Sequence, residues 1–231
     1  MSNCFAQKEK KMITYNQIKN DPAIRTYVKE ADASLEALGY TEHSFAHVTR
    51  VAVTAGDILT TLGYPERDAE LARIAGYLHD IGNLVNRVDH SQSGAILAFR
   101  ILDRMGMAPE EISKIVAAIG NHDEGTGVPV SAIAAALIIA DKSDVRRSRV
   151  RDKELIHRDD IHDNVNYSVT ESSLTVSEDK TSITLALKID TSFSAVMDYF
   201  EIFLKRMSLC RSAANKLGLI FRLDINGQIL L

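Results

Sequence analysis

The chain contains little cysteine, no long apolar run and no excess of basic residues. Its two cysteines, Cys4 and Cys210, supply neither a disulfide framework nor the paired spacing of a zinc site. The longest apolar stretch, residues 132–140, is too short to span a bilayer, and residues 1–12 lack the apolar segment of a signal peptide. We therefore expect a soluble, cytoplasmic protein without a membrane partner.

Acidic residues outnumber basic ones, with 31 against 27 and a net charge of −4. A protein whose main activity is to bind a nucleic-acid polymer usually has a basic face, so no such partner is expected. Apolar residues make up 45% and charged residues 25%, which is the ordinary balance of a globular protein. The 231 residues suit one domain, or one domain with an appendage.

The chain from Asp21 to about Asp144 has the apolar periodicity of α-helices. Prolines and N-capping residues mark the predicted starts, and glycines mark several ends. The predicted helices cover residues 21–39, 44–62, 65–79, 90–105, 109–121 and 130–144, with Asp89 as the cap of the helix that begins at His90. This pattern predicts a mainly α-helical domain over residues 21–157, after an N-terminal extension of residues 1–20.

The C-terminal third of the chain has a different pattern. Residues 146–163 are charged and weakly patterned, as is typical of a connector. Apolar residues then alternate within 165–169, 174–176 and 183–189, which predicts strands with turns at 171–173 and 178–180. A long helix over 193–217 and a hairpin around Asn226-Gly227 follow. The predicted fold class is α+β, in which residues 158–231 form an appendage of a small antiparallel β-sheet and a long helix, as a lid or a dimer interface.

Histidine and aspartate side chains recur at or near the ends of the predicted helices. The set consists of His47, His79, Asp80, His90, His122 and Asp141. The doublet His79-Asp80 ends an apolar helix, where an ionised carboxylate is costly unless it is paired or binds a metal. An aspartate at a helix C-terminus also opposes the helix dipole, which favours a nearby cation.

Each member of this set has an ordinary structural alternative. A His-Asp doublet occurs at three places in the chain, so the doublet alone is weak evidence. A lone histidine such as His47 is more often a core residue than a ligand. Three helices that each present an imidazole or a carboxylate are harder to explain by core packing. Together they predict one or two divalent metal ions, and Fe, Mn, Mg, Ni, Co and Zn are all compatible.

The order of these residues resembles the HD-domain metal-dependent phosphohydrolase superfamily. Three blocks carry the resemblance: His47-Val48-Thr49-Arg50-Val51, Leu78-His79-Asp80-Ile81-Gly82 and Ala140-Asp141-Lys142. Two more blocks, His90-Ser91-Gln92-Ser93-Gly94-Ala95 and Asn121-His122-Asp123-Glu124-Gly125, are similar to the two-metal branch that includes the HD-GYP cyclic-dinucleotide phosphodiesterases. The resemblance covers residues 41–151 and implies a helical HD-type domain.

The chain departs from the HD-GYP pattern at three places. Asn83 stands where a lysine is usual, and Asn121-His122 stands where that branch has a His-His pair. The Gly-Tyr-Pro signature is reduced to Gly127-Val128-Pro129. These departures argue against cleavage of a cyclic dinucleotide.

The resemblance implies a role for each of the six ligand residues. A first metal would be held by His47, His79, Asp80 and Asp141, and a second by Asp80, His90 and His122, with Asp80 as the bridge. A hydroxide activated by the metals would attack phosphorus. The implied enzyme is a phosphatase or phosphodiesterase that cleaves a phosphomonoester or phosphodiester, and the expected substrate and partner is a nucleotide-like phosphorylated small molecule.

Basic residues near these ligands are candidates for phosphate contacts. Asp80 and Lys142 are predicted as catalytic residues, and Arg50, Arg146 and Arg147 as substrate-binding residues. Surface ion pairs are an equally good interpretation of the three arginines.

Three further histidines are given structural roles. His43 has two expected roles, lining the pocket or capping the start of the helix that carries His47, and the cap is favoured. His157 and His162 lie in the weakly patterned connector, so we expect them at the surface or at a domain junction.

Two other functions are compatible with the same ligand set. A di-iron oxygenase of the same superfamily would use the four histidines and two aspartates for oxygen chemistry. A metal-bound ligand-sensing module would bind its ligand without turnover. The apolar strands of the appendage also suggest a homodimer.

Overall fold

The computed structural model describes residues 11–151 and 161–230. Its helices are α1 (Tyr15–Asn20), α2 (Pro22–Ala37), α3 (Phe45–Leu62), α4 (Glu66–Leu78), α5 (His90–Met105), α6 (Pro109–Gly120), α7 (Ala132–Lys142), α8 (Ile161–Ser168) and α9 (Val196–Lys216). Its strands are β1 (Val169–Val176), β2 (Ser182–Ile189), β3 (Ile220–Ile225) and β4 (Gln228–Ile229). Short 3₁₀ helices cover Ile81–Leu84 and Arg147–Arg149.

The predicted helical region is confirmed, and its caps explain where the helices begin. The Asp21 side chain accepts hydrogen bonds from the backbone N–H groups at the start of α2, and Ser44 caps α3 in the same way. Asp89 is the exception, since its side chain makes no capping hydrogen bond. Its backbone is left-handed, with φ of 56°, because the chain turns sharply there before α5, whereas a capping residue normally has an extended backbone.

Helix α7 runs through the centre of the helical domain. Every residue from Ile133 to Ala140 is buried, and the helix packs against α3, α4, α6 and α9. A helix that is apolar on all sides is stable only in such a place. The interior position of α7 places Asp141, near its C-terminal end, among the surrounding helices.

Helices α3 and α4 are in close contact at Gly76. A Cβ atom at Gly76 would lie 2.7 Å from the Cα atom of Ala52, so only glycine permits this approach. His47 lies near the start of α3 and His79 directly after the end of α4. The close packing of the two helices brings both histidines to the same end of the domain.

A second close contact joins the turn after His79-Asp80 to helix α5. A Cβ atom at Gly82 would overlap the carbonyl oxygen of His90 and would lie 2.5 Å from the nitrogen of Gly94. The glycine therefore lets the first turn of α5 pack directly on the turn that contains Asp80. His90 is placed beside Asp80 as a result.

The residues before Asp21 that the structure describes also pack on the domain. The backbone N–H of Tyr15 donates to Oε1 of Glu70 at 2.6 Å, and Ile18 is fully buried. Helix α1 therefore contributes to the core, although residues 1–20 were expected only as an extension. The expected domain boundary between residues 157 and 158 lies outside the described residues.

The C-terminal sheet has the order β1-β2-β3-β4. β1 pairs with β2 and β3 pairs with β4 in antiparallel fashion, and the hairpin turn at Asn226-Gly227 has positive φ at both residues, as predicted. The α+β class is confirmed. β2 and β3 are parallel, so the sheet is mixed and the prediction of an antiparallel sheet is wrong for this pair. Helix α9 connects β2 to β3, and such a crossover returns the chain in the parallel direction.

Two local strand predictions are also wrong. Val165 and Tyr167 lie on helix α8, because the strand begins only at Val169. The turn predicted at residues 171–173 is part of β1, where these residues pair with Lys188, Leu187 and Ala186 after a bulge. Glu171 and Ser173 lie on the exposed face of the strand and Ser172 on the half-buried face, so their polarity does not mark a turn.

Helix α9 joins the sheet to the helical domain, since it packs against α7 on one side and β3 on the other. Tyr199, Phe203 and Met207 are its buried anchors. Within the described residues, no helix is both long and apolar enough to cross a membrane.

Candidate metal centre

The structure brings the six predicted ligand residues together at one end of the helical domain. Nε2 of His47 lies 3.3 Å from Nε2 of His79, and Nε2 of His90 lies 3.2 Å from Nε2 of His122. The carboxylates lie against these pairs. Oδ1 of Asp141 lies 3.5 Å from Nε2 of His47. Oδ2 of Asp80 lies 3.2 Å from Nε2 of His79, and Oδ1 of Asp80 lies 3.6 Å from Nε2 of His90. Asp80 therefore stands between the two histidine pairs.

Each histidine of the site uses its other ring nitrogen, Nδ1, to contact an oxygen. Nδ1 of His79 donates to the backbone carbonyl of Gly76 at 2.8 Å. In the same way, Nδ1 of His90 donates to that of Arg87 at 3.1 Å, and Nδ1 of His122 to that of Ile119 at 2.6 Å. Nδ1 of His47 lies 2.7 Å from Oδ2 of Asp144. An N–H at every Nδ1 leaves a lone pair on every Nε2, which is the arrangement of histidines that ligate metals.

The short distances between the Nε2 atoms match the separation of two nitrogen ligands on one metal ion. Two nitrogens that both carry lone pairs cannot hydrogen-bond to each other. Two nitrogens bound to one metal at about 2.0–2.1 Å, with an angle of about 90–110°, lie about 2.9–3.4 Å apart. Both observed separations, 3.3 Å and 3.2 Å, fall in this range. The donor set therefore fits two metal ions.

The electrostatics of the centre also favour a cation. Burial lowers the pKa of His79, but the carboxylates of Asp80 and Asp141 outweigh this effect and raise the pKa to about 10. Carboxylates that stabilise a proton on His79 would stabilise a metal ion in the same way. Burial, together with the charges of His79 and Lys142, lowers the pKa of His122 to about 3, so this ligand stays neutral.

Lys142 directly follows a ligand residue and is buried beside it. Its Nζ lies 2.8 Å from Oδ2 of Asp141 and 2.6 Å from Oε2 of Glu124. The Nε of Arg206, from helix α9, lies 2.9 Å from the other oxygen of Glu124. The ammonium is therefore held in ion pairs with two carboxylates, and it fixes one of the two oxygens of Asp141.

The three arginines predicted to bind substrate do not line the cavity at the centre. The side chain of Arg50 is half-exposed, with Nε 3.5 Å from Oδ1 of Asp144. Arg146 Nε donates to the same carboxylate at 2.8 Å. Arg147 instead stacks on the ring of Tyr167, 4.3 Å from its centroid, and donates to the backbone oxygen of that residue. Arg50 and Arg146 thus support Asp144, and Arg147 packs against α8.

A cavity of about 390 Å³ opens in front of the ligands. Its wall includes Asp80, His90, Asp141 and Lys142 from the centre, and Arg87, Arg149 and Arg206 as further cations. Tyr40 and Phe203 supply aromatic surface. Phe203 and Arg206 come from α9, so the C-terminal appendage forms part of the wall. Sequence reasoning missed these three arginines, although the position of Arg87 between the two ligand blocks was a usable signal.

His43 also lines this cavity, which is the less favoured of its two expected roles. Ser44 caps α3 instead, and Nδ1 of His43 bonds to the backbone oxygen of Thr41 at 2.7 Å. Burial, with the charge of Arg149, lowers the pKa of His43 well below its usual range. His157 and the side chain of His162 lie outside the part of the chain that the structure describes.

A helical domain with this histidine and aspartate centre defines a class of proteins. Residues 44–157 match the family model of the HD domain, so this part of the chain is an HD domain. HD domains bind divalent metals, in agreement with the clustered ligands found here.

Two known proteins illustrate these similarities. The chain is 27% identical over 164 residues to an uncharacterized protein of Methanocaldococcus jannaschii. The match covers 61% of this chain and 62% of the length of that curated relative. It is also similar to a crystal structure of a predicted HD superfamily hydrolase from an uncultured Thermotogales bacterium. That similarity has a TM-score of 0.42 and 23% identity, and covers 58% of this chain and 75% of the other.

Proposed function

We propose that the protein is a two-metal phosphohydrolase that cleaves a phosphomonoester or phosphodiester of a nucleotide-like small molecule. The observation that carries this proposal is the pair of short Nε2–Nε2 distances, His47 with His79 and His90 with His122, bridged by Asp80. When bound, divalent ions would neutralise phosphoryl oxygens and lower the pKa of a water molecule that attacks phosphorus.

The chain's own residues would hold this centre in a fixed geometry. Asp144 orients His47, and backbone carbonyls orient the other three histidines. Asn83 donates through Nδ2 to Oδ1 of Asp80 at 3.0 Å and to the backbone oxygen of Asp80 at 2.9 Å. This amide takes the position where HD-GYP proteins usually have a lysine, and here it fixes the bridging carboxylate.

The cavity supports a small phosphorylated substrate rather than a polymer. A volume of about 390 Å³ is in the range of small-molecule sites, about 300–1,000 Å³. Cations line the wall beside the ligands, as binding of an anionic group requires. Tyr40 and Phe203 offer aromatic surface that suits a nucleobase or a similar flat group.

The test combines metal analysis with a substrate panel. Protein purified without added metal should contain a divalent metal, and it should hydrolyse at least one member of a panel of phosphomonoesters, nucleotides and phosphodiesters. Hydrolysis should continue when dioxygen is removed. The His79→Ala variant, prepared in parallel, should lose metal and activity while its far-ultraviolet circular dichroism stays helical.

Two other outcomes would replace the proposal. Bound iron with a turnover that depends on oxygen would identify a di-iron oxygenase. Tight nucleotide binding without hydrolysis under any of the metals would identify a ligand-sensing module. Full metal occupancy in His79→Ala would show that the doublet is not part of the centre.

A further inference from the structure

Arg87 occupies a distinctive place in the cavity wall. It lies between the turn that carries Asp80 and the start of helix α5, and its side chain is half-buried. Its Nη1 atom lies 3.4 Å from Nε2 of His90 and 3.5 Å from Oδ1 of Asn83. Both distances are long for hydrogen bonds, so the guanidinium is placed beside the centre without being tightly held there.

The other cations of the cavity wall already have close hydrogen-bond or ion-pair partners. Lys142 is paired with Asp141 and Glu124, and Arg206 is paired with Glu124. Arg149 donates to the backbone oxygens of Glu42 and Asp144 at 2.9 Å each. These contacts hold the three side chains as parts of the wall.

Arg87 differs from these cations in its surroundings. Among residues 11–151 and 161–230, no carboxylate lies within salt-bridge distance of its guanidinium, which rests over the ring of Tyr40 at 5.5 Å from the centroid. A half-buried cation that forms no ion pair with the described residues is an attractive place for an anion. The position of Arg87 therefore indicates an anion site next to His90.

The contact between Arg87 and His90 makes this site conditional on metal. The Nε2 lone pair of His90 can accept from Nη1 of Arg87 or ligate a metal ion, but it cannot do both. Once His90 is used as a ligand, the N–H groups of Arg87 lose their partner at that ring. They are then available to a ligand that lies against the centre.

We propose that Arg87 binds a phosphoryl group of the substrate beside His90. This inference rests on the proposed phosphohydrolase function and assigns its phosphate contact to a residue outside the metal ligands. Arginine suits the role because its planar guanidinium can donate two parallel hydrogen bonds to one phosphoryl group, which a lysine ammonium cannot do.

The experiment measures binding of inorganic phosphate to the metal-loaded protein by titration calorimetry. Wild type is compared with Arg87→Gln, Arg87→Lys and the control Arg100→Gln, whose arginine is exposed on α5 outside the cavity wall. Loss of a charge-assisted contact should weaken phosphate binding about ten- to hundredfold in Arg87→Gln. Arg87→Lys should be intermediate, Arg100→Gln should equal wild type, and metal content should be the same in all four proteins.

Two results would overturn the inference. Phosphate affinity in Arg87→Gln equal to that of wild type, with metal retained, would remove Arg87 from substrate binding while leaving the hydrolase proposal intact. Loss of metal from both Arg87 variants would show that Arg87 acts by positioning His90. Failure of wild type to hydrolyse any phosphoester would count against the proposed function, while the phosphate titration would still report separately on Arg87.

Discussion

Nδ1 of His47 donates to Oδ2 of Asp144 across 2.7 Å, between the start of α3 and the segment just after α7. Asp144 is buried, and Arg146 donates to its other oxygen at 2.8 Å. Burial raises the pKa of Asp144, but His47 and the nearby arginines outweigh it and hold the pKa well below its usual range. The carboxylate is therefore ionised and fixes both the tautomer and the ring orientation of His47.

Asp144→Asn should weaken metal binding without removing a ligand. The amide can present its NH₂ group to Nδ1 of His47 and so favour the tautomer whose proton is on Nε2, the ligating nitrogen. Loss of such an orienting partner reduces metal affinity about 10- to 100-fold. Competition with a fluorescent chelator measures the change. Asp57→Asn is the control, since Asp57 pairs with Arg73 at the surface. Equal affinity in Asp144→Asn and wild type would mean that Asp144 has no orienting role.

Gly82→Ala should destabilise the protein because the new methyl group would overlap the backbone of α5 at His90. Overpacking of this kind costs about 1–3 kcal/mol, which urea unfolding can measure. The shift of α5 should also weaken metal binding at His90. Gly120→Ala is a matched control, because a Cβ atom there meets its neighbours at 3.7 Å or more. The prediction is contradicted if both variants unfold at the same urea concentration as wild type.

The sequence was sufficient to predict that the six candidate ligand residues would cluster, because each lies at a helix boundary that local signals mark. Ser44 and Gly63 bound the helix of His47, and the apolar run before Asp141 predicts a buried helix end. Family resemblance then ordered these residues into two metal sites. The helix pattern and the metal centre could thus be predicted without coordinates.

Features that depend on tertiary packing could not be predicted in the same way. Arg206 reaches the cavity only because α9 packs on α7, and nothing in its local pattern distinguishes it from its exposed neighbour Lys205. The parallel pairing of β2 and β3 follows from the return path of the same helix. The alternation around Val165 and Tyr167 is too short to distinguish a strand from the helix that is present.

Lys142→Met should destabilise the metal-free protein more than the metal-loaded one. Removing the ammonium leaves the carboxylates of Asp141 and Glu124 close together, and breaking a buried pair in this way costs about 3–5 kcal/mol. Bound metal would neutralise Asp141 and reduce this loss. Urea unfolding with and without EDTA measures both values. Lys114→Met, which breaks the exposed pair with Asp68, should cost less than about 1 kcal/mol in either state. An equal loss with and without metal would separate Lys142 from the centre.

Arg206→Gln should raise the KM for the substrate while leaving metal content unchanged. Arg206 lines the cavity from the appendage and touches none of the predicted metal ligands directly. Steady-state kinetics on the substrate found in the panel, together with metal analysis, measures both quantities. Lys205→Gln, on the exposed side of α9, should behave like wild type. Unchanged KM in Arg206→Gln would show that Arg206 takes no part in substrate recognition.

Metal stoichiometry in His122→Ala tests the two-metal centre most directly. His122 pairs with His90 across 3.2 Å, so its removal should abolish one site and leave the site of His47, His79 and Asp141 in place. Asn121→Ala is the control, since the Asn121 side chain donates to the backbone oxygen of Ala117. Elemental analysis of protein loaded with metal and desalted should give two ions per chain for wild type and Asn121→Ala, and one for His122→Ala. The same ratio in all three proteins would contradict a two-metal centre.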